Sequence, residues 1–212
     1  MTPEALRHLG VSDPVMGRLI RRIGPCTLKP ESGRTPFESL VRAVAHQQLH
    51  GKAAETILGR FLARFPRRRF PRPEDLQGLA DGELRSFGFS MAKVAALRDI
   101  AAKSLDGTVP SSRKIRSLSD EEIIERLSAC RGVGRWTVEM LLIFKLGRPD
   151  VLPVDDFGVR EGFRVTYGHD VQPRPKELLA FGECWRPFRT TAAWYLWRAA
   201  DAAKEDLRRS RP

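Results

Sequence analysis

Cysteine is scarce in this chain of 212 residues, which contains three, Cys26, Cys130 and Cys184. Their odd number and wide spacing exclude a self-contained disulfide framework and a C-x-x-C zinc pair. Three thiolates are also too few for an iron–sulfur cluster. We expect all three side chains to be buried as small hydrophobic residues.

Long apolar runs are also missing, since no stretch approaches the roughly 20 apolar residues that a membrane span requires. The first residues, Met1–Glu4, do not resemble the start of a signal peptide. There is no internal repeat and no low-complexity linker. Because 42% of the residues are hydrophobic, the chain can bury one sizeable core or two small ones. We therefore expect a soluble intracellular protein.

Acidic residues are the minority among the charges: 37 Lys+Arg face 26 Asp+Glu, a net charge of +11. Such a charge favours salt-dependent association with polyanions. Arginine, which forms forked phosphate contacts, outnumbers lysine, although a biased genome composition or a generic basic protein would give the same numbers. The concentrated cluster, Arg67–Arg69 with Arg72, is either a solvated loop or a contact to a DNA backbone.

No segment shows the alternation of a strand, whereas helical periodicity runs through the chain, so the predicted fold class is all-α. Capping boxes at Thr35 and Ser119 mark two helix starts, and Gly107 and Pro110 indicate a loop over 105–118. Helices are predicted at about 37–47, 52–65, 74–80, 81–87, 91–104, 120–128, 137–146, 157–166, 176–182 and 188–206, followed by a frayed tail from Arg208.

Two of these helices are joined by the turn Arg131-Gly132-Val133-Gly134. Glycine permits backbone angles that other residues avoid and removes side chains that would block a close approach. The free N–H groups at the start of the second helix then suit a phosphate. Further along the chain come two adjacent carboxylates, Asp155 and Asp156. A phosphate anchor and a nearby acid indicate an enzyme that acts on DNA.

Five segments, taken together, resemble the helix-hairpin-helix (HhH-GPD) DNA glycosylases, specifically the 3-methyladenine glycosylases of the AlkA/Mag type. They are Leu40–Ala54 (LVRAVAHQQLHGKAA), Phe87–Ala101 (FGFSMAKVAALRDIA), Cys130–Met140 (CRGVGRWTVEM), Leu152–Phe163 (LPVDDFGVREGF) and Trp185–Arg198 (WRPFRTTAAWYLWR). A Gly-Val-Gly hairpin alone is weak, because non-enzymatic DNA-binding modules also carry one.

The resemblance implies a two-lobed all-α fold with a cleft between the lobes. Residues 36–149 would form the middle lobe with the hairpin, and residues 1–35 plus 150–212 the second lobe. The chain looks like a compact form without the N-terminal β domain of larger members. The implied partner is double-stranded DNA with alkylated bases. We expect a monomer that is cytoplasmic, nucleoid-associated and bacterial, with no membrane partner.

The family's DNA-binding roles carry over to the hairpin and to the loop after the 37–47 helix. The resemblance implies no required cofactor, but a structural Na⁺ or K⁺ on backbone carbonyls. Gln48 aligns with the wedge that fills the stack, with Gln47 beside it. The alternative interpretation of the hairpin is a purely structural tight turn, and that of the loop with Gln47 and Gln48 is an ordinary exposed helix end. The implied DNA-binding residues are Gln47, Gln48, Gly132, Val133, Gly134 and Arg135, and the implied cation carbonyls are those of Ser128, Cys130 and Val133. Arg131 stands where many relatives have proline.

The resemblance assigns catalysis to Asp156, with Asp155 capping a helix or supporting the site; other branches of the superfamily would favour Asp155. Lyase-capable relatives have a lysine where this chain has Trp136. The chain therefore resembles a monofunctional hydrolase that leaves an abasic site. An indole also attracts a cationic alkylated purine. Phe188 and Trp194 are further candidates for the base pocket, although the hydrophobic core is the alternative place for all three aromatic residues.

Three functions remain open from the sequence. The first is a 3-methyladenine DNA glycosylase II-type hydrolase of base excision repair. The second is a non-catalytic helix-hairpin-helix DNA-binding protein whose aspartates only cap. The third is a glycosylase of the same fold that removes oxidised or mismatched bases.

Overall fold

The computed structural model describes residues 2–31 and 33–209, and every regular element in these ranges is helical. The prediction of an all-α fold is therefore confirmed. The α-helices are α1 Pro3–Ser12, α2 Pro14–Ile23, α3 Pro36–His46, α4 Gly51–Ala63, α5 Pro73–Gly78, α6 Asp81–Ser86, α7 Met91–Leu105, α8 Asp120–Ser128, α9 Arg135–Leu141, α10 Phe157–Tyr167, α11 Pro175–Phe181 and α12 Arg189–Arg209. A π-helical turn, Leu142–Leu146, follows α9.

The predicted helix starts have the expected local cause. Thr35 Oγ1 accepts a hydrogen bond from the backbone N–H of Glu38 at 3.1 Å, with proline at the first helical position. Ser119 and Glu122 form a reciprocal capping box at the start of α8. Each cap satisfies N–H groups that have no partner within the helix. The predicted loop over 105–118 contains one short 3₁₀ turn, Lys114–Ser117.

Internal packing divides the chain into two compact units. The terminal unit comprises the described parts of Met1–Glu31 and Glu139–Pro212, and the central unit comprises those of Ser32–Val138. These boundaries fall at 32 and 139, whereas the resemblance predicts lobe boundaries at 36 and 150.

The core of the terminal unit is centred on Trp185 and Tyr195, both fully buried. Asp13, only 5% exposed, lies in this core with all its acceptor positions in use. Its Oδ1 accepts the N–H groups of Val15 and Met16, each at 3.0 Å, and so caps α2. Its Oδ2 accepts the indole N–H of Trp185 at 2.9 Å and the hydroxyl of Tyr167. One carboxylate thus joins the N-terminal helices to the C-terminal ones.

The core of the central unit is built around Phe61, which is fully buried on α4. Four other phenylalanine rings meet it edge to face at centroid distances of 5.7–6.2 Å, namely Phe65, Phe70, Phe87 and Phe89. Edge-to-face packing of this kind adds to the gain from burial alone. This cluster fixes α4 relative to the segment that leads into α7.

The cysteines and the C-terminal tail differ from the sequence-based expectations. Cys130 is buried as predicted, but Cys26 is half-buried and Cys184 is exposed. Cys184 lies on the outer side of the turn Gly182–Trp185, whose Trp185 points into the core. The tail prediction is wrong for Arg208 and Arg209, which continue α12; residues 210–212 lie outside the described residues.

In the described ranges no helix combines the length and apolarity that crossing a bilayer demands.

Candidate functional site

The hairpin of the central unit is a tight turn between α8 and α9. The N–H of Val133 donates to the carbonyl oxygen of Cys130 at 3.0 Å, which closes the turn. Gly132 has a φ of +76°, the third-position angle that is typical of a type II turn and that favours glycine. Gly132, Gly134 and Arg135 are exposed around the start of α9. The backbone of Gly132, Gly134 and Arg135 therefore lies on the exposed side of the hairpin. The Nη2 of Arg135 lies 2.9 Å from Oε1 of Glu121.

Gln47 and Gln48 occupy different environments in the turn after α3. The Nε2 of Gln47 donates to the carbonyl oxygen of Gly132 at 2.8 Å, so Gln47 braces the hairpin from a distant part of the chain. Gln48 is exposed and has a φ of +55°. A non-glycine residue in this region is strained by about 1 kcal/mol or more. Such strain is common where a side chain serves function.

A lysine also supports this turn. The Nζ of Lys93, on α7, donates to the carbonyl oxygen of Ala45 at 2.8 Å. Ala45 lies in the last turn of α3, whose final carbonyls have no partner within the helix. Burial lowers the pKa of Lys93 below its usual value. This contact gives a structural role to the lysine within the segment Phe87–Ala101.

Asp156 of the terminal unit is the N-cap of α10. Its Oδ1 accepts the N–H of Val159 at 2.8 Å and the indole N–H of Trp197 at 2.8 Å. The carboxylate is therefore held by two donors on two different helices. Asp155 is exposed, and none of the described residues contributes a hydrogen bond or ion pair to its side chain. The capping role that the sequence analysis gave to Asp155 thus belongs to Asp156.

Trp197 is a site residue that the sequence analysis missed. Its ring stacks on Phe144 with centroids 5.6 Å apart and planes at 24°. The small size of Gly158 allows this arrangement, because a Cβ at that position would lie 2.8 Å from Cδ1 of Trp197. The indole is held on its face by Phe144 and at its edge by Asp156. The sequence feature that could have identified Trp197 is its place as the third tryptophan of the segment Trp185–Arg198.

The three predicted pocket aromatics lie in different surroundings. Trp136, in the first turn of α9, is 47% exposed and so presents much of its ring to solvent. Phe188 is half-buried and lines a pocket of about 220 Å³ within the terminal unit, next to residues such as Leu28, Ile143 and Thr191. Trp194 is only 8% exposed and belongs to the hydrophobic core, edge to face with Tyr195. Its position fits the core alternative.

The carbonyl oxygens predicted to bind a cation lie at the end of α8 and in the turn. The carbonyl of Cys130 accepts the N–H of Val133 and retains a second lone pair. Ser128 Oγ is buried and has no hydrogen-bond partner among the described residues. In residues 2–31 and 33–209, no cluster of His, Cys, Asp or Glu side chains could hold a metal ion. Backbone carbonyl oxygens, by contrast, are ligands of a kind that suits a monovalent cation.

The basic cluster is partly engaged within the protein. The guanidinium of Arg68 lies 2.6 Å from Oδ2 of Asp75. Arg67, Arg69 and Arg72 are exposed. The pairing of Arg68 fits a solvated loop, while the other three side chains remain available for a phosphate backbone.

Comparison with known proteins supports the resemblance stated from the sequence. The family described as "HhH-GPD superfamily base excision DNA repair protein" matches residues 41–187. DNA-3-methyladenine glycosylase 1 of Schizosaccharomyces pombe is 41% identical over 92% of this chain and 86% of its own. The predicted membership is confirmed.

Solved structures agree with the sequence matches. The S. pombe 3-methyladenine DNA glycosylase Mag1, solved in complex with abasic DNA, superimposes with a TM-score of 0.79 at 41% identity and covers 92% of this chain and 95% of its own. The DNA-3-methyladenine glycosidase of Bacillus halodurans superimposes with a TM-score of 0.87 at 32% identity over 97% of this chain and 92% of its own. This chain belongs to the HhH-GPD superfamily of base excision DNA repair proteins.

Proposed function

We propose that this protein is a monofunctional DNA glycosylase. It hydrolyses the N-glycosidic bond of alkylated purines such as 3-methyladenine and 7-methylguanine in duplex DNA, and it leaves an abasic site. The observation that carries the proposal is the Asp156 carboxylate, fixed at the start of α10 by Val159 and Trp197. The names of the matched relatives, which are 3-methyladenine glycosylases, support the substrate class.

Asp156 acts on the sugar. A damaged base inside a duplex is out of reach, so the nucleotide is first turned out of the stack. When the base departs, positive charge develops on the deoxyribose, and a fixed carboxylate stabilises that charge without having to reorganise. The same carboxylate can orient or deprotonate the attacking water. The two donors on Oδ1 keep the group in one orientation throughout.

Trp136 sets the reaction type. A lyase mechanism needs an amine that forms a Schiff base with the sugar, and an indole has none. Water is therefore the nucleophile, and the DNA strand is not cut. The exposed ring of Trp136 can stack on a purine that carries a positive charge from alkylation. The same charge makes the base a good leaving group. Phe188 serves as a second apolar surface for the base.

The hairpin and the turn after α3 handle the DNA. Backbone N–H groups at Gly132, Gly134 and Arg135 bind a phosphate, as helix starts do. Val133 contributes by closing the turn, since its own N–H donates to the carbonyl oxygen of Cys130. Gln48 enters the stack in place of the damaged base, and its amide can hydrogen bond to the orphaned partner base. A Na⁺ or K⁺ ion held by the carbonyls of Ser128, Cys130 and Val133 would add positive charge beside that phosphate. The protein acts on double-stranded DNA as a monomer and is associated with the nucleoid.

A lesion panel tests this function. Duplexes that contain 3-methyladenine, 7-methylguanine, ethenoadenine, hypoxanthine, uracil or 8-oxoguanine are incubated with the protein, and free base and cut strand are scored separately. We expect release of the two methylated purines, with strand cuts only after alkali. Release of 8-oxoguanine or uracil alone would favour a glycosylase for other lesions. Binding to every duplex without any release would favour a non-catalytic DNA-binding protein.

A further inference from the structure

The hairpin has a side-chain partner on α7. Oδ2 of Asp99 accepts the backbone N–H of Arg131 at 2.7 Å, across 32 positions of sequence. One helical turn further along α7, the Nζ of Lys103 lies 2.6 and 2.7 Å from the two carboxylate oxygens. Burial raises the pKa of Asp99, but the hydrogen bonds from Lys103 and Arg131 outweigh it and lower the pKa below the usual value. Asp99 thus stays ionised beside the turn.

The geometry of the turn explains why this N–H needs an acceptor. Arg131 is the second residue of the turn that Val133 and Cys130 close, and the turn's own hydrogen bond does not use the N–H at that position. Proline is favoured there, because it fixes φ and carries no N–H. An arginine leaves φ less restricted and adds a donor that must find a partner. Asp99 provides that partner.

We propose that Asp99 is a positioning residue for DNA binding, which holds Arg131 so that the N–H groups of the hairpin face a phosphate. The arrangement replaces the rigidity of a proline at 131 with a hydrogen bond from the neighbouring helix. This inference rests on the proposed role of the hairpin in DNA binding.

An electrostatic effect would have the opposite sign. A carboxylate close to a phosphate site repels the phosphate, so removal of Asp99 should tighten DNA binding if charge alone mattered. If position matters, Asp99→Ala weakens binding. Asp99→Asn then stays near the wild-type value, because the amide oxygen still accepts the N–H of Arg131.

The test uses Asp99→Ala, Asp99→Asn, Arg131→Pro and the double variant Asp99→Ala/Arg131→Pro. Asp106→Ala is the matched control, since Asp106 follows the same helix and also accepts one backbone N–H, that of Thr108 at 2.8 Å. For each variant, the Kd for a duplex with an abasic site is measured by fluorescence anisotropy at one salt concentration. The base-release rate at saturating enzyme and the urea midpoint are measured in parallel.

We expect Asp99→Ala to raise the Kd about five- to tenfold, the size of effect that the loss of one typical intramolecular hydrogen bond produces. Asp99→Asn and Asp106→Ala should stay within about twofold of wild type. The Kd of the double variant should match that of Arg131→Pro alone, because proline removes the donor and restores the rigidity. The base-release rate at saturation should not change, which separates a positioning role in binding from a role in the chemistry.

An unchanged or lower Kd for Asp99→Ala overturns the inference. So does an equal loss in Asp106→Ala, or a double variant that binds clearly more weakly than Arg131→Pro alone. If Asp99→Ala does not fold, the comparisons of Asp99→Asn with wild type and of the double variant with Arg131→Pro decide between the two outcomes in the same way. A wild-type protein that binds no abasic duplex would instead refute the proposed function.

Discussion

Replacement of Asp156 by asparagine separates its two roles. As the N-cap of α10 it accepts the N–H of Val159, and it also accepts the indole N–H of Trp197. Asparagine keeps an oxygen in the same place and is as good an N-cap as aspartate. The interaction of the charge with the helix dipole is lost, which costs about 0.3–1 kcal/mol. We therefore expect the free energy of unfolding to fall by less than about 1 kcal/mol.

In the proposed mechanism, the chemical step depends on the charge that asparagine lacks. Loss of one preorganised electrostatic partner typically costs about 10²–10³ in rate, or roughly 3–4 kcal/mol. We expect the single-turnover release of 7-methylguanine by Asp156→Asn to fall by that factor, while the Kd for an abasic duplex changes little. The assay uses enzyme in excess over labelled duplex, and urea unfolding is followed on the same preparations.

Asp155→Asn is the matched control, with the same chemical change one residue earlier. The side chain of Asp155 is exposed, and the described part of the chain offers it no hydrogen-bond or ion-pair partner. Stability should stay within about 0.5 kcal/mol and the rate within about threefold. A larger loss of rate in Asp155→Asn than in Asp156→Asn would show that the assignment is off by one residue. A wild-type rate in Asp156→Asn would refute the catalytic role altogether.

Three further substitutions test the site and the fold. Gln48→Gly removes the strain of a positive φ, so the free energy of unfolding should stay level or rise by up to about 1 kcal/mol. Base release from duplex DNA should fall far more than base release from single-stranded DNA. Equal losses on both substrates would contradict the role of Gln48 as a wedge. Trp197→Phe keeps the aromatic stack on Phe144 but loses the N–H that donates to Asp156. We expect the rate of single-turnover base release to fall about 5- to 30-fold. An unchanged rate would mean that the indole does not orient the carboxylate. Asp13→Ala leaves buried donors without an acceptor, and urea unfolding should show a loss of about 3–5 kcal/mol; a loss below about 1 kcal/mol would contradict the network.

Local signals predicted much of the helical framework. The capping boxes at Thr35 and Ser119 each mark the start of an observed helix. No helix is predicted before residue 36, yet α1 and α2 begin after Thr2 and Asp13, each a capping residue followed by proline. The same local rule would have found them. Their short apolar patterns, ten residues each, gave periodicity little length in which to appear.

The site was harder to predict, because its contacts join distant positions. Trp194 and Trp197 are three residues apart on α12, so both are near the same helix face. Which of them meets α10 depends on how the two helices pack, and periodicity does not contain that information. The hydrogen bonds from Gln47 to Gly132 and from Arg131 to Asp99 likewise cross long stretches of sequence. Residue types indicate the chemistry of the site, whereas tertiary packing determines which residues become hydrogen-bond partners.

The fixed carboxylate also bears on which bases the protein can release. A purine alkylated at N3 or N7 is already cationic and leaves as a neutral base, so its departure needs no proton from the protein. What remains is to stabilise the charge on the sugar, which is the role that we propose for the Asp156 carboxylate. An uncharged base such as uracil must also receive a proton or a hydrogen bond as it leaves. A site whose strongest contribution acts on the sugar therefore favours substrates in the order of their own leaving-group quality, with the methylated purines first.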